Sequence, residues 1–232
     1  MTEQAKVAIV TGASSGIGAS TTNRLVRDGW SVVATSRSVD RLADLAKAHG
    51  ERVLPVACDV TDWDGTQALV ADAVKAYGRV DAVVANAGYI VQGDIRTADP
   101  RQWPDMVLTN VVGPAYLVRA ALSELQATSG RAVLVGSVGG LRHSAGSVYS
   151  ATKWAVTALA ENLRQTLTTL GVAVTLVSPG VTRTGFFDEY PNGVPELSLS
   201  PDVLADTIAW ALQQPPGVEI NTVAVRPTGE LM

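Results

Sequence analysis

KVAIVTGASSGIG, residues 6–18, runs a short apolar segment straight into three closely spaced glycines. KVAIV (6–10) is nearly continuous in apolar character, as expected for a strand covered on both faces. Gly12, Gly16 and Gly18 then fall between that strand and an amphipathic stretch that begins at residue 16. Glycines at such a junction let the backbone turn tightly and approach a phosphate, while the helix that follows points its first N–H groups at the anion. The loop therefore reads as a pyrophosphate cradle, with Ser14, Ser15 and Ile17 as further contacts. Its Gly-x-x-x-Gly-x-Gly spacing differs by one residue in the first gap from the usual dinucleotide fingerprint. A purely structural glycine turn is the alternative.

The same beat continues outward along the chain. SVVAT (31–35), RVLPVA (52–57), VDAVVA (80–85), RAVLVG (131–136), VAVTLV (172–177) and INTVAV (220–225) repeat the strand pattern. Helical stretches fall between them at 16–28, 39–49, 62–77, 102–127, 149–170 and 201–213. This alternation predicts an α/β, Rossmann-like doubly wound fold: a seven-stranded parallel sheet with helices on both faces. No repeat, low-complexity segment or linker divides residues 1–232, so a single dinucleotide-binding and catalytic domain is expected. PGVTRTGFFDEYPNGVPELSLSP (179–201) breaks the rhythm and reads as a functional loop containing a short helix.

Bulk properties narrow the class. Hydrophobic residues make up 47% of 232, enough for a sizeable core. No apolar run reaches the ~18–20 residues of a membrane span, and the start lacks the pattern of a signal peptide. A net charge of −4 without a basic run speaks against nucleic acid. Cys58 is the lone cysteine, which excludes an internal disulfide and a zinc–cysteine cluster; it reads as a small buried hydrophobe near a strand end. A cytoplasmic protein that binds neither membrane nor metal is expected.

The second strand carries a cofactor signal. Binding NAD normally asks for a carboxylate at its end, to hold the ribose 2′-hydroxyl. SVVATSRS instead places Ser36 and Arg37 there. A guanidinium binds a 2′-phosphate through charge-assisted hydrogen bonds, whereas a carboxylate repels it. NADP(H) is thus expected over NAD(H); the alternative is that Arg37 is a solvated residue at a helix start.

Tyr149 and Lys153, in VYSATKWAV (148–156), stand one helical turn apart, about 5–6 Å at Cβ. Alone, such a pair is ordinary surface decoration. In order along nearly the whole chain, however, TGASSGIG (11–18), CDVTD (58–62), ANAG (85–88), Asn110 in MVLTNVVGP, Ser137, Tyr149 with Lys153, and PGVT (179–182) together resemble the short-chain dehydrogenase/reductase family. The resemblance implies that Asp59 meets the adenine amino group and Val60 its ring. It implies that Asn86, with Ala87 and Gly88, ties neighbouring strands beside the cofactor; Ala85 replaces the family's first Asn of this motif. Pro179, Gly180, Val181 and Thr182 are expected around the nicotinamide carboxamide, and Lys153 on the nicotinamide ribose. Asn110, Ser137, Tyr149 and Lys153 form the implied catalytic tetrad, with Asn110 kinking its helix and holding a water that links Lys153 to solvent.

Carbonyl reduction explains these residue types. The oxygen gains charge as hydride reaches carbon, so a proton donor must stand within about 3 Å. A phenol has an ordinary pKa near 10, and a neighbouring ammonium pulls it down. Tyr149 is expected to act as acid in reduction and base in oxidation, with Ser137 donating to the substrate oxygen. Ser137 and Tyr149 are 12 residues apart, where many relatives have one residue more, and this tightens the loop between them. Val138, Gly139, His143, Phe186, Phe187 and Tyr190 are expected as pocket wall and lid; Arg183 is a candidate partner for a substrate carboxylate, and core or subunit packing is the alternative for the aromatics. The expected substrate is a small ketone or aldehyde and its alcohol. The alternatives are a 3-oxoacyl thioester, which the acidic net charge disfavours, and a non-catalytic nucleotide sensor or scaffold, whose usual mark (loss of Tyr or Lys) is absent. By resemblance, helices 102–127 and 149–170 build a homotetramer, or otherwise a dimer.

Overall fold

The valine-rich runs lie side by side in one parallel sheet of seven strands: β1 Val7–Thr11, β2 Ser31–Ser36, β3 Val53–Ala57, β4 Ala82–Ala85, β5 Arg131–Val135, β6 Ala173–Pro179 and β7 Thr222–Val225. The structure, a computed structural model, describes residues 4–187 and 193–230. Strand order is β3-β2-β1-β4-β5-β6-β7. The chain builds outward from β1 to β3, then returns to pair β4 with β1, Val10 opposite Val84. Strand order therefore reverses between β1 and β4, which opens a crevice at the carboxyl ends of the strands, where ligands of such sheets bind.

Among the described residues, eight α-helices flank the sheet: α1 Gly16–Arg27, α2 Ala43–His49, α3 Trp63–Tyr77, α4 Trp103–Val107, α5 Gly113–Ala120, α6 Leu122–Thr128, α7 Val148–Leu167 and α8 Pro201–Leu212. Successive strand residues point to opposite faces. Ala8, Val10, Val32 and Ala34 pack with Leu25 of α1 and Leu204 and Ile208 of α8. Ile9, Val33 and Val83 pack with Leu69 of α3, Leu117 of α5 and Val156 and Ala160 of α7. Both faces are therefore dry, which is why the strands read as unbroken apolar runs. Cys58 is buried just past β3, as a small hydrophobe.

The structure differs from the sequence reading chiefly at 102–127. That stretch is not one helix but α4, a π-helical turn at Leu108–Val112, then α5 and α6. Pro114 has no N–H to give the Asn110 carbonyl four residues back, and its ring crowds that carbonyl, so the α-helical ladder breaks there. Among the described residues, the 179–201 loop holds one 3-10 turn, Gly185–Phe187, and a bridge between Thr182 and Leu199.

Candidate active site

The carboxyl ends of β1, β4, β5 and β6 and the start of α1 and α7 surround a cleft of about 990 Å³. Gly12 and Gly16 take positive φ, +64° and +53°, and a Cβ on Gly12 would stand 2.9 Å from Asn86 Nδ2. Ser15 precedes α1 in extended conformation with no side-chain cap, and the first turn of α1 has no acidic residue. The helix N-terminus is thus left open to an anion. Ser14, Ser15, Gly16 and Ile17 line the cleft beside it.

At the end of β2, Ser36 and Arg37 line the cleft, with Arg41 from the following 3-10 turn. Ser36 Oγ donates to the Ser38 carbonyl at 2.6 Å. Among the described residues, neither Arg37 nor Arg41 is held in an ion pair. Asp59 and Val60, past β3, border the same end. Asp59 Oδ1 accepts from the Thr61 N–H at 2.9 Å and the Thr61 hydroxyl at 2.7 Å. These bonds, the backbone one foremost, hold its carboxyl below the usual carboxylate range.

Asn86 locks the middle of the site. Its Nδ2 donates to the Thr11 carbonyl at 2.9 Å, while the Asn86 and Ala87 N–H groups both donate to Thr11 Oγ1 at 3.0 Å. The ends of β1 and β4 are thereby tied across the switch point. Gly88 follows, and a Cβ there would lie 3.0 Å from Asn110 Oδ1 and 3.7 Å from Lys153 Nζ.

Tyr149 occupies the first turn of α7, which Ser147 caps by accepting from the Ser150 N–H at 3.1 Å. Lys153, one turn on, is 6% exposed; its Nζ donates to the Val135 carbonyl at 2.9 Å and sits 5.8 Å from the Tyr149 ring centroid. Burial pulls its pKa from 10.5 down to about 8. Ser137, at the end of β5, accepts from the Gly139 N–H at 3.0 Å, which leaves the hydroxyl proton to be given elsewhere. The Ser137 loop is docked onto α7: Ser150 Oγ donates to the Gly139 carbonyl at 2.5 Å, and Thr157 Oγ1 to the Gly140 carbonyl at 2.9 Å. These bonds fix the serine and the tyrosine relative to each other despite the short loop. Both line the cleft, with Lys153, Val138, Gly139 and Phe186. Phe186 meets the Tyr149 ring edge-on, centroids 5.7 Å apart.

Four residues expected at the site, Gly18, Asn110, His143 and Arg183, fall outside the cleft lining. Gly18 does not line the cleft; it is buried beneath the loop, where a Cβ would strike the Gly12 carbonyl and stand 2.7 Å from Asn86 Nδ2, so it serves packing. Asn110 lies behind the cleft, 1% exposed, and both its amide hydrogens are committed: Nδ2 donates to the Tyr89 carbonyl at 2.9 Å and to Thr152 Oγ1 at 3.1 Å, and Oδ1 accepts from the Tyr89 N–H at 3.0 Å. The side chain is a clamp, and the atom left without its usual α-helical donor is the Asn110 carbonyl, above Pro114. His143 is not a pocket residue; it stacks on Trp154 at 5.4 Å on the exposed surface. Thr182 lines the cleft with Pro179, Gly180 and Val181, its hydroxyl donating to the Gly180 carbonyl at 3.0 Å, and Thr184 lines it beside Gly16, where a Cβ would meet its Cγ2 at 2.8 Å. Arg183 is exposed and outside the cleft lining. Phe187 ends the 3-10 turn, and Tyr190 falls outside the described residues.

The lining residues that the sequence reading did not single out include Thr184, Arg41 and Glu230, beside Tyr89, Ile90 and Ser150. Arg41 had a usable signal, its spacing of four from Arg37 at a helix start. Thr184 differs from Thr182 only by the path of the loop. Glu230 comes from beyond β7, and nothing local marks it.

An anion-binding helix end, two uncommitted guanidiniums and a phenol beside a buried ammonium fit one elongated ligand, with phosphates at one end and a redox centre at the other. Comparison with known proteins agrees with that chemistry. The sequence profile described as short chain dehydrogenase matches residues 6–194. An uncharacterized oxidoreductase of Staphylococcus saprophyticus is 36% identical over 230 residues, covering 97% of this chain and 98% of its own. Among solved structures, an alcohol dehydrogenase from the archaeon Thermococcus sibiricus, complexed with 5-hydroxy-NADP, superposes with a TM-score of 0.89 at 29% identity, covering 98% of both chains. A metagenomic short-chain oxidoreductase in complex with NADP gives 0.82 at 32% identity over 96% of this chain and 97% of that one. With its doubly wound sheet and the profile match over most of its length, the chain belongs to the short-chain dehydrogenase family of oxidoreductases.

Proposed function

We propose that the protein is an NADP(H)-dependent oxidoreductase that interconverts a small ketone or aldehyde and its alcohol, with Tyr149 as acid and base. The observation that carries the reading is that one cleft is lined at one end by the glycine loop, Arg37 and Arg41, and at the other by Ser137, Tyr149 and Lys153. The NADP complexes of similar proteins support the choice of cofactor, and the alcohol dehydrogenase of Thermococcus sibiricus supports the reaction class.

The glycine loop and the open end of α1 would hold the pyrophosphate, Arg37 and Arg41 the 2′-phosphate, and Asp59 and Val60 the adenine. The Pro179–Thr182 loop with Thr184 would border the nicotinamide. A bound nicotinamide supplies or accepts the hydride. Tyr149 holds the proton at its phenol oxygen and delivers it to the substrate oxygen as charge develops there. The Ser137 hydroxyl, fixed as acceptor by Gly139 N–H, directs its own proton at that oxygen. Lys153 stays charged at neutral pH, its pKa being about 8, and its ammonium favours the phenolate form of Tyr149. Phe186 packs edge-on against the phenol ring.

The protein is further read as cytoplasmic and as a homo-oligomer, a tetramer before a dimer. Val107, Leu108 and Trp154, exposed on α4, the π turn and α7, offer apolar contact to a partner subunit; light scattering tests the assembly. The function is tested by following the consumption of NADPH and NADH against a panel of ketones, aldehydes and acyl thioesters. Turnover of small carbonyls with NADPH is expected; turnover confined to acyl thioesters, or absent throughout, contradicts the reading.

A further inference from the structure

Charged side chains line the cleft along its length, Asp59 beside the two arginines and Lys153 beside Tyr149. Arg37 and Arg41 line one end, and Glu230, carried by the segment after β7, lines the other. Glu230 Oε1 accepts from the Val181 N–H at 3.3 Å. Its Oε2 is buried and has no hydrogen-bond partner among the described residues. Gly180 makes room for it, since a Cβ there would strike that oxygen. Arg226 packs its Cγ within 3.1 Å of the same Cβ position, yet no ion pair joins it to Glu230 among the described residues. A buried carboxylate oxygen without a donor is costly to keep, and is retained where something else supplies the donor or the positive charge. It also repels phosphate, so a ligand that is anionic at one end and cationic or N–H-bearing at the other is oriented by this cleft.

We propose that Glu230 is a specificity-determining residue for the redox form of the cofactor. Its carboxylate receives the amide N–H side of the nicotinamide and favours the oxidised, positively charged ring over the reduced, neutral one. The inference rests on the reading that the cleft takes NADP(H) with its nicotinamide at the Pro179–Thr182 loop. It gives Glu230 a function in binding that would tilt the bound equilibrium toward NADP⁺, and so toward alcohol oxidation.

Titrating wild type and Glu230→Gln with NADP⁺ and with NADPH, by calorimetry or quenching of intrinsic fluorescence, tests this. The glutamine keeps size and an acceptor for Val181 but removes the charge. The ratio of Kd for NADP⁺ to Kd for NADPH is expected to rise about three- to fivefold, the scale of one partly exposed charge pair, through loss of NADP⁺ affinity. Glu230→Asp, which retains the charge, is expected to keep the wild-type ratio. Both forms bound with an unchanged ratio in Glu230→Gln, or Glu230→Asp shifting the ratio as far as Glu230→Gln does, would overturn the inference while leaving the cofactor reading intact. Wild type that binds neither dinucleotide would overturn both.

Discussion

Lys153 shows how much one residue is asked to do. Its ammonium is buried and donates to the Val135 carbonyl, and burial brings its pKa to about 8. Below about pH 8 the folded and unfolded chains both hold this proton, and the cost of burying the charge is felt in full. Between about 8 and 10.5 the unfolded chain binds the proton and the folded chain does not, so stability rises with pH across that window. Lys153→Met removes the titration at little change in volume. In urea unfolding, the stability of wild type relative to Lys153→Met is expected to climb by about 3 kcal/mol between pH 7 and 10.5, while the variant has lost turnover at every pH. Parallel pH profiles for the two proteins would show that the ammonium is not buried as described. Sequence alone put Lys153 next to Tyr149 on one helix face; its burial and the shift that follows come from β5, which periodicity does not see.

At the scale of elements, the site depends on two joints. One docks the Ser137 loop on α7 through Ser150 and Thr157. The other is the π turn, where Asn110 clasps the Tyr89 backbone and passes through Thr152 to the carbonyl of Tyr149 at 2.7 Å. Replacing Asn110 with Ala leaves the Tyr89 groups and Thr152 short of partners in a dry interior, so a loss of about 2–3 kcal/mol in unfolding free energy is expected. Denaturant midpoints of the two proteins measure it, and an unchanged midpoint would refute the clamp. The sheet and its helices were legible because alternation of apolar runs is a local signal. The break in the 102–127 stretch was partly legible too, since Pro114 forbids a continuous helix, but the clasp on Tyr89 joins residues 21 apart and is a tertiary contact. Thr184 was missed for the same kind of reason: only the path of the loop over Gly16 distinguishes it from Thr182.

Across the whole molecule, the proposed reading assigns phosphate binding to the β2 end of the cleft and hydride chemistry to the end where Tyr149 and Lys153 stand. Arg37 was readable from the end of β2, Arg41 only from its spacing, and Glu230 not at all, because its segment reaches Val181 from 49 residues away. If the two arginines hold the 2′-phosphate, replacing both by Ala should cut the preference for NADPH over NADH in kcat/KM by about a hundredfold, as the loss of two charge-assisted contacts implies. A preference that survives the double substitution would assign the 2′-phosphate elsewhere. The central claim, that this cleft transfers a hydride to a carbonyl with Tyr149 supplying the proton, is tested most directly by comparing wild type with Tyr149→Phe on a carbonyl that wild type reduces, with NADPH binding measured alongside. The account predicts a fall in kcat of about 10²–10⁴-fold with NADPH affinity retained; full turnover in Tyr149→Phe would contradict it.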